Sequence, residues 1–245
     1  MNYREKIYSK YRSSHTKNLT SEINLNFFKK QFFVWNKYYR EFLPNNKNDN
    51  KNVKILDIAC GDGSIVYWLQ SIGYKNSFGI DISEEQVNLA KSLGIKNIEQ
   101  YNLKEFLKTN KGWDVIFGLD ILEHFDKNEI LDVLELIYNA LNKNGILIIK
   151  TPNGESIFGT RYLYSDFTHE FIFTERSLKE ILSISGFENF KFKEDGPVIH
   201  SLFSLIRYIL WKFIRLMLKF YLLVETGQKA NILTQNIIAV AYKNE

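Results

Sequence analysis

Apolar residues along the chain gather into seven short runs, at 53–58, 77–80, 97–101, 113–118, 145–150, 187–193 and 236–241, separated by stretches with helical periodicity. Runs of Val, Ile, Leu and Phe at this length suit strands buried in the middle of a parallel sheet. Strands alternating with helical patterns predict an α/β domain with helices on both faces. A helix over 177–185 is stopped by Gly186, and another opens at Glu84. At 25–43, Phe27, Phe28, Phe32, Phe33, Trp35, Tyr38 and Tyr39 recur near helical spacing. This predicts one amphipathic helix closing over the core, with a lid as the alternative in which Tyr8, Tyr11, Ser14 and His15 fold over the site. Residues 201–224 read as a cationic amphipathic helix, since Arg207, Lys212, Arg215 and Lys219 fall within about 140° of one another.

With 245 residues, 45% hydrophobic and 24% charged, the chain can bury one substantial core. The expected organisation is an N-terminal helical cap or lid at 1–50 and a core at 51–245, the latter carrying a substrate loop at 151–175 and the amphipathic helix at 200–224. The formal net charge of +4 is modest, and the Lys- and Asn-rich stretch at 45–54 reads as a solvated linker. No nucleic-acid partner is expected. The single cysteine, Cys60, excludes an internal disulfide, and a cytoplasmic location is the simplest expectation. Four basic residues inside 201–224 argue against a membrane span. That helix is expected to dock on its own sheet or in a homodimer; the other use is peripheral contact with the anionic inner membrane.

Candidate chemistry concentrates where the first strand ends, at Asp57-Ile58-Ala59-Cys60-Gly61-Asp62-Gly63. Gly61 and Gly63 allow a turn that brings backbone close to a ligand. Val66 replaces the third glycine of a dinucleotide fingerprint, so a pyrophosphate site is disfavoured. Asp57 would repel phosphate but can accept a hydrogen bond from a cationic amino group. Asp81, ending the second strand, lies at the spacing of an acid that holds a ribose diol, against the simpler reading that Asp81-Ile82-Ser83 starts a helix with Ser83 as its cap. Cys60 reads as a packing residue in the turn.

These motifs resemble the class I S-adenosylmethionine-dependent methyltransferases, with Ala59 in place of the first glycine of the usual Asp-x-Gly-x-Gly-x-Gly pattern. Leu119-Asp120-Ile121-Leu122-Glu123-His124 is similar to the family's fourth motif, and Thr151-Pro152-Asn153 to the ubiquinone-biosynthesis group. The resemblance covers roughly residues 50–195 and implies a Rossmann-like seven-stranded sheet whose last strand inserts antiparallel between the fifth and sixth. It implies S-adenosyl-L-methionine as cofactor, with Asp57, Ala59, Cys60, Gly61 and Gly63 shaping the turn and Asp81 and Ile82 at the ribose. Asn102 and Leu103 would hold the adenine, and Leu119 and Asp120 the methionine portion. No metal is assigned. The looser pattern of a basic apolar helix, Glu225-Thr226-Gly227 and a final strand resembles methyltransferases of bacterial capsule and O-antigen clusters.

Methyl transfer to a hydroxyl needs a proton acceptor. In the loop after the fifth strand, His169 is the first choice as base, oriented by Asp166 or Glu170, with His124 as a second candidate and His200 a weaker one. The expected function is O-methylation of a sugar or sugar-derived group on a nucleotide- or lipid-linked intermediate of surface polysaccharide synthesis. The alternatives are a quinone precursor, a phosphate or phosphoramidate acceptor, or a methyltransferase-like subunit without catalysis.

Overall fold

Every apolar run becomes a strand, and the strands join in a single seven-stranded sheet. The computed structural model describes residues 3–11, 13, 23–44, 52–229 and 231–244. Among the described residues, three short helices come first, α1 (Tyr3–Tyr8), α2 (Leu25–Lys29) and α3 (Phe32–Tyr38), followed by a 3-10 turn at Arg40–Phe42. The sheet then alternates with helices: β1 (Ile55–Ile58), α4 (Ser64–Ser71), β2 (Ser77–Asp81), α5 (Glu84–Ser92), β3 (Ile98–Gln100), α6 (Leu103–Thr109) and β4 (Trp113–Leu119). A 3-10 turn at Leu122–His124 leads to α7 (Lys127–Ala140), β5 (Leu141–Pro152), α8 (Gly159–Leu163), α9 (Glu175–Ile184), β6 (Glu188–Glu194), α10 (Leu202–Thr226) and β7 (Asn236–Tyr242).

Strand order is β3-β2-β1-β4-β5-β7-β6, with β1 to β5 parallel and β7 antiparallel to both neighbours, as expected. Side chains alternate across the sheet. Ile55, Val115 and Phe117 face Tyr38, Tyr39, Phe42 and Trp68 from the N-terminal segment and α4. Leu56, Ile58 and Ile116 face the stripe Ile130, Val133, Leu134 and Ile137 of α7. Asp126 and Glu129 open α7 with a capping box that satisfies its first amides. Gly186, at φ +93°, stops α9.

Gly79 sets how closely α4 and the first turn approach the sheet. A Cβ there would lie 2.7 Å from Ile98 Cδ1, 2.8 Å from Cys60 Sγ and 2.9 Å from Val66 Cγ2. Gly79→Ala is therefore expected to destabilise the protein by about 1–3 kcal/mol, the usual cost of overpacking a core. Urea unfolding checks this, and an unchanged midpoint would show that these side chains yield freely.

Two expectations need correction. The helix expected over 25–43 breaks at Lys30 and Gln31, where Gln31 N donates to Phe28 O at 2.8 Å and the ladder tightens to three-residue spacing. Aromatic side chains form helix poorly, and burying Phe28, Tyr38, Tyr39 and Phe42 against a curved surface overrides continuity. The packing reading of this segment stands. Docking of α10 holds along one row only: Ser204 is buried and Tyr208, Trp211, Arg215, Leu218 and Leu222 are half-buried, while most of the rest of the helix is exposed.

Candidate active site

At the carboxyl ends of β1, β2 and β4 lies a cavity of about 410 Å³, a size suited to a small ligand. Ala59, Gly61, Asp81, Ile82, Asn102, Leu103, Leu119 and Asp120 all line it. Asp57, Cys60 and Gly63 do not: they are buried behind that wall and shape it from within. Gly63, at φ +75°, packs against Ala90 and Ile98, and burial, helped by Asp57, pushes the Cys60 thiol up well above its usual range, which leaves it inert. Ala59 sits at φ +55°, a left-handed conformation that costs a residue with a Cβ about 1–2 kcal/mol. This is the physical reason a glycine is usual there.

Asp81 serves two purposes. Its Oδ2 accepts from Gly61 N and its Oδ1 from Ser83 N, both at 2.8 Å, so one carboxylate ties the turn after β1 to the start of α5. A carboxylate has about four acceptor sites, so Asp81, which lines the cavity, retains capacity for a ligand. Ser83 precedes α5 as expected, but its side chain makes no cap, and its buried hydroxyl has no hydrogen-bond partner among the described residues. A polar ligand in the cavity would satisfy it. Asn102 spends its Oδ1 on capping α6, accepting from Lys104 N at 2.9 Å and Glu105 N at 3.3 Å, so its amide nitrogen is what remains for a ligand. Ile80, Ile82 and Leu103 supply apolar walls for a flat ring.

Burial, reinforced by Asp81 and Asp62, holds the Asp57 carboxyl well above the usual carboxylate range. Three acids under one turn make a field that favours a cationic ligand. Asp120, at φ +54°, pairs with Lys150 at 2.6 Å. Burial alone would lower the Lys150 pKa, but Asp120 and Tyr39 raise it instead, so the lysine stays charged.

The N-terminal segment closes the other side of the cavity. Arg4 pairs with Glu129 and, at 3.3 Å, with Glu170, whose other contact is Tyr3. Tyr8 and Tyr11 line the cavity, with the Tyr8 ring 6.2 Å from that of His124. These two side chains do fold over the site; Ser14 and His15 lie outside the described residues.

At the rim, the turn after β4 and the loop after β5 bring Glu123, His124 and His169 together, with one potential ligand atom from each inside 4.8 Å of the others. The hydrogen bonds fix both imidazoles. The Thr168 hydroxyl donates to Asp166 Oδ1 at 2.7 Å, so it accepts from His124 Nδ1 at 2.8 Å. His169 Nδ1 donates to the Tyr162 carbonyl at 2.8 Å. In the neutral form of each ring the proton then sits on Nδ1 and the lone pair on Nε2. Burial and the neighbouring His169 push His124 down to about 4, which keeps it neutral. Glu123 is buried, accepts from Thr151 Oγ1 at 3.1 Å, and is raised by burial and by Asp120.

The expected orienting role changes accordingly. Asp166 acts on His124 through Thr168, with Tyr11 OH on its other oxygen at 3.2 Å, while a backbone carbonyl and no carboxylate holds His169. Glu170 is engaged by Arg4 and Tyr3. His200 stacks on Phe33 at 4.4 Å and does not line the cavity. No metal ligand could be assigned from the sequence; in the fold two anchored imidazoles and a carboxylate form a donor set that suits a divalent cation.

Residues 28–191 match the model of a family described as methyltransferase domain. A ubiquinone biosynthesis O-methyltransferase of Pelagibacter ubique is 33% identical over 162 residues, covering 60% of this chain and 65% of that protein. O-methyltransferase 3 of Dictyostelium discoideum is 23% identical over 184 residues, covering 65% of this chain and 42% of that protein. The chain thus spans less than two thirds of the length of these relatives. Among solved structures, a SAM-dependent methyltransferase from Archaeoglobus fulgidus superposes with a TM-score of 0.60 at 22% identity, covering 89% of this chain and 99% of the other. Magnesium protoporphyrin IX methyltransferase from Synechocystis, solved with SAH, gives 0.59 at 14% identity, with 98% of each chain covered.

Proposed function

Since the chain belongs to the methyltransferase-domain family, we propose that it transfers the methyl group of S-adenosylmethionine to a hydroxyl, with a sugar or sugar-derived group as acceptor. The observation that carries this reading is the cluster of Glu123, His124 and His169 at the rim of a cavity whose wall offers Asp81, the Ser83 hydroxyl and an apolar slot. The ribose would take the free lone pairs of Asp81, and the adenine would lie between Ile82 and Leu103. The sulfonium would sit in the field of Asp57 and its neighbouring acids.

Transfer is an in-line displacement at the methyl carbon. The acceptor oxygen forms the new C–O bond as the C–S bond breaks, and the sulfonium leaves as a neutral thioether. The acceptor's proton goes to Nε2 of His169, with His124 beside it holding a second lone pair toward the same space. Were Glu123, His124 and His169 to hold a divalent cation instead, it would take those lone pairs and polarise the acceptor hydroxyl. The exposed rings of Tyr164 and Phe167 on the preceding loop offer faces on which a sugar ring can stack.

A second reading is favoured by the relatives named for ubiquinone biosynthesis: a small aromatic hydroxyl would use the same aromatic faces. Placement in surface polysaccharide synthesis is supported by the motif pattern after residue 200 and belongs to the first reading. Incubation with methyl-labelled S-adenosylmethionine and a panel of nucleotide-linked sugars, polyprenyl-linked sugars and prenylated catechols separates the two. Label in sugars supports the proposal, and label in catechols alone replaces it with the second reading. Cofactor binding with no transfer to any acceptor class would mark a subunit without catalysis.

Asp57 gives this reading a pH signature. Its folded pKa is raised above the unfolded carboxylate value, so the free protein loses stability as pH rises from that value toward the raised one. A bound cation favours the ionised form and reverses that loss. Affinity for S-adenosylmethionine is therefore expected to tighten as pH rises through this window, and Asp57→Asn is expected to flatten the dependence. Calorimetry across pH checks both, and a wild-type affinity that weakens with rising pH would refute the role given to Asp57.

A further inference from the structure

We propose that α10 lies on the surface of an anionic lipid bilayer, with its outward half in the headgroup boundary. The inference is independent of the acceptor's identity. It concerns a segment beyond the residues that match the family, which end at 191.

The helix is firmly built at both ends. Ser201 and Ser204 form a capping box, and Gly227 at φ +69° terminates it. One row, Ser204, Tyr208, Trp211, Arg215, Leu218 and Leu222, is at least half-covered by the body. Arg215 anchors that row, with Nε 2.6 Å from Glu194 Oε1 and a guanidinium N–H donating to Asn231 O at 3.3 Å. At 100° per residue this row centres on one side, and the opposite arc of about 180° holds only apolar side chains. Phe203, Phe213 and Phe220 on that arc are 85%, 61% and 66% exposed. The other helices behave differently: α7 buries Ile130, Val133, Leu134 and Ile137, and α9 buries Leu178 and Leu182. Exposed apolar side chains run the length of the helix, from Leu202 to Val224, unlike the singly scattered ones that need no partner.

Charge decides the occupant. Arg207 borders the apolar arc on one side and Lys212 and Lys219 on the other, while Glu225, near the helix end, is the only acid in α10. In a twofold pairing of two copies the same patch meets itself, which sets basic margin against basic margin. A helix-to-helix contact would also cover only a stripe of about 100°, leaving much of the arc in water. An anionic bilayer neutralises both margins and takes the whole arc at once. No helix of the described residues is long and apolar enough to cross a membrane, so this one lies along the surface.

The test is co-sedimentation of the full chain with vesicles of equal parts phosphatidylcholine and phosphatidylglycerol, against vesicles of phosphatidylcholine alone. Wild type is expected to bind the anionic vesicles, with partition falling at least tenfold on neutral ones or at high salt, where surface attraction is screened. The pair Phe213→Asp and Phe220→Asp, on the outward arc and clear of the core, is expected to weaken binding more than tenfold while leaving the unfolding midpoint and cofactor affinity unchanged. Arg207→Gln and Lys212→Gln should each weaken it about fivefold. Folded wild type that stays in solution with anionic vesicles would overturn the proposal. So would sedimentation equilibrium showing a dimer that the Phe variants dissociate, with no vesicle binding.

Discussion

Replacing His124 and His169 together with Ala is expected to lower turnover by about 10²–10⁴-fold, the range lost when a positioned general base is removed. Affinity for S-adenosylmethionine should change little, because His169 does not line the cofactor cavity and His124 meets it only at the rim. The expectation rests on the tautomers. Thr168 gives its proton to Asp166 and Tyr162 offers only a carbonyl, so in its neutral form each imidazole has its proton on Nδ1 and its lone pair on Nε2. His124, pushed down to about 4, keeps that lone pair throughout the neutral range. Thr168→Val removes the hydroxyl that fixes the His124 ring; kcat should then fall by a smaller factor with KM for the cofactor unchanged. Chelation separates two ways of using the cluster. If a chelator abolishes wild-type turnover and a divalent ion restores it, Glu123, His124 and His169 hold a cation. Turnover indifferent to the chelator leaves His169 taking the proton directly. A double variant as fast as wild type would leave proximity alone to account for catalysis.

The low His124 pKa also has a stability consequence. Its folded value lies below the unfolded value of about 6.5, so its contribution is complete above that pH and is lost as pH falls toward 4. His124→Ala is expected to remove that part of the acid sensitivity.

The strands and their order were readable because each apolar run is continuous and the alternation with helices leaves few topologies. Asp81 was readable for a similar reason: the spacing from the glycine turn to the next acid is set by one helix and one strand. What the sequence hid depends on contacts between distant segments. Glu123 passes as half of a Glu-His pair, and only its burial, its bond to Thr151 and its approach to His169 make it a candidate for the site. Thr168 carries no pattern at all; its role comes from a chain of two hydrogen bonds that spans 44 residues. The Thr151-Pro152-Asn153 signature proves partly architectural, for Asn153 is fully buried and its amide donates to Ile232 O and Thr234 O, tying β5 to the approach of β7. Asn102 could be placed beside a ring by resemblance, yet its use as a helix cap was not foreseen because capping needs the actual start of α6. The exposure of α10 was equally out of reach. Its periodicity shows an apolar arc but not whether anything covers it.

Asp81→Ala is expected to weaken S-adenosylmethionine binding by about 10²–10⁴-fold, because two charge-assisted hydrogen bonds to a ribose diol would contribute about 1.5–3 kcal/mol each. A second effect comes from the protein alone. The carboxylate accepts from Gly61 N and Ser83 N, and removing it leaves two backbone donors unmatched at a cost of about 1–3 kcal/mol each where water cannot reach them. The variant should therefore unfold at a lower temperature even without ligand, which makes a loss of binding ambiguous by itself. Ser83→Ala resolves the ambiguity. It keeps both backbone bonds of Asp81 and removes only a buried hydroxyl that has no partner among the described residues, so the free protein should be no less stable. If the ligand satisfies that hydroxyl, affinity should still fall about five- to tenfold, the value of one neutral hydrogen bond. Calorimetry with S-adenosylhomocysteine and S-adenosylmethionine, run below the unfolding transition of each variant, measures both. Wild-type affinity in folded Asp81→Ala would remove the ribose from this carboxylate and leave Asp81 as the strut of the turn.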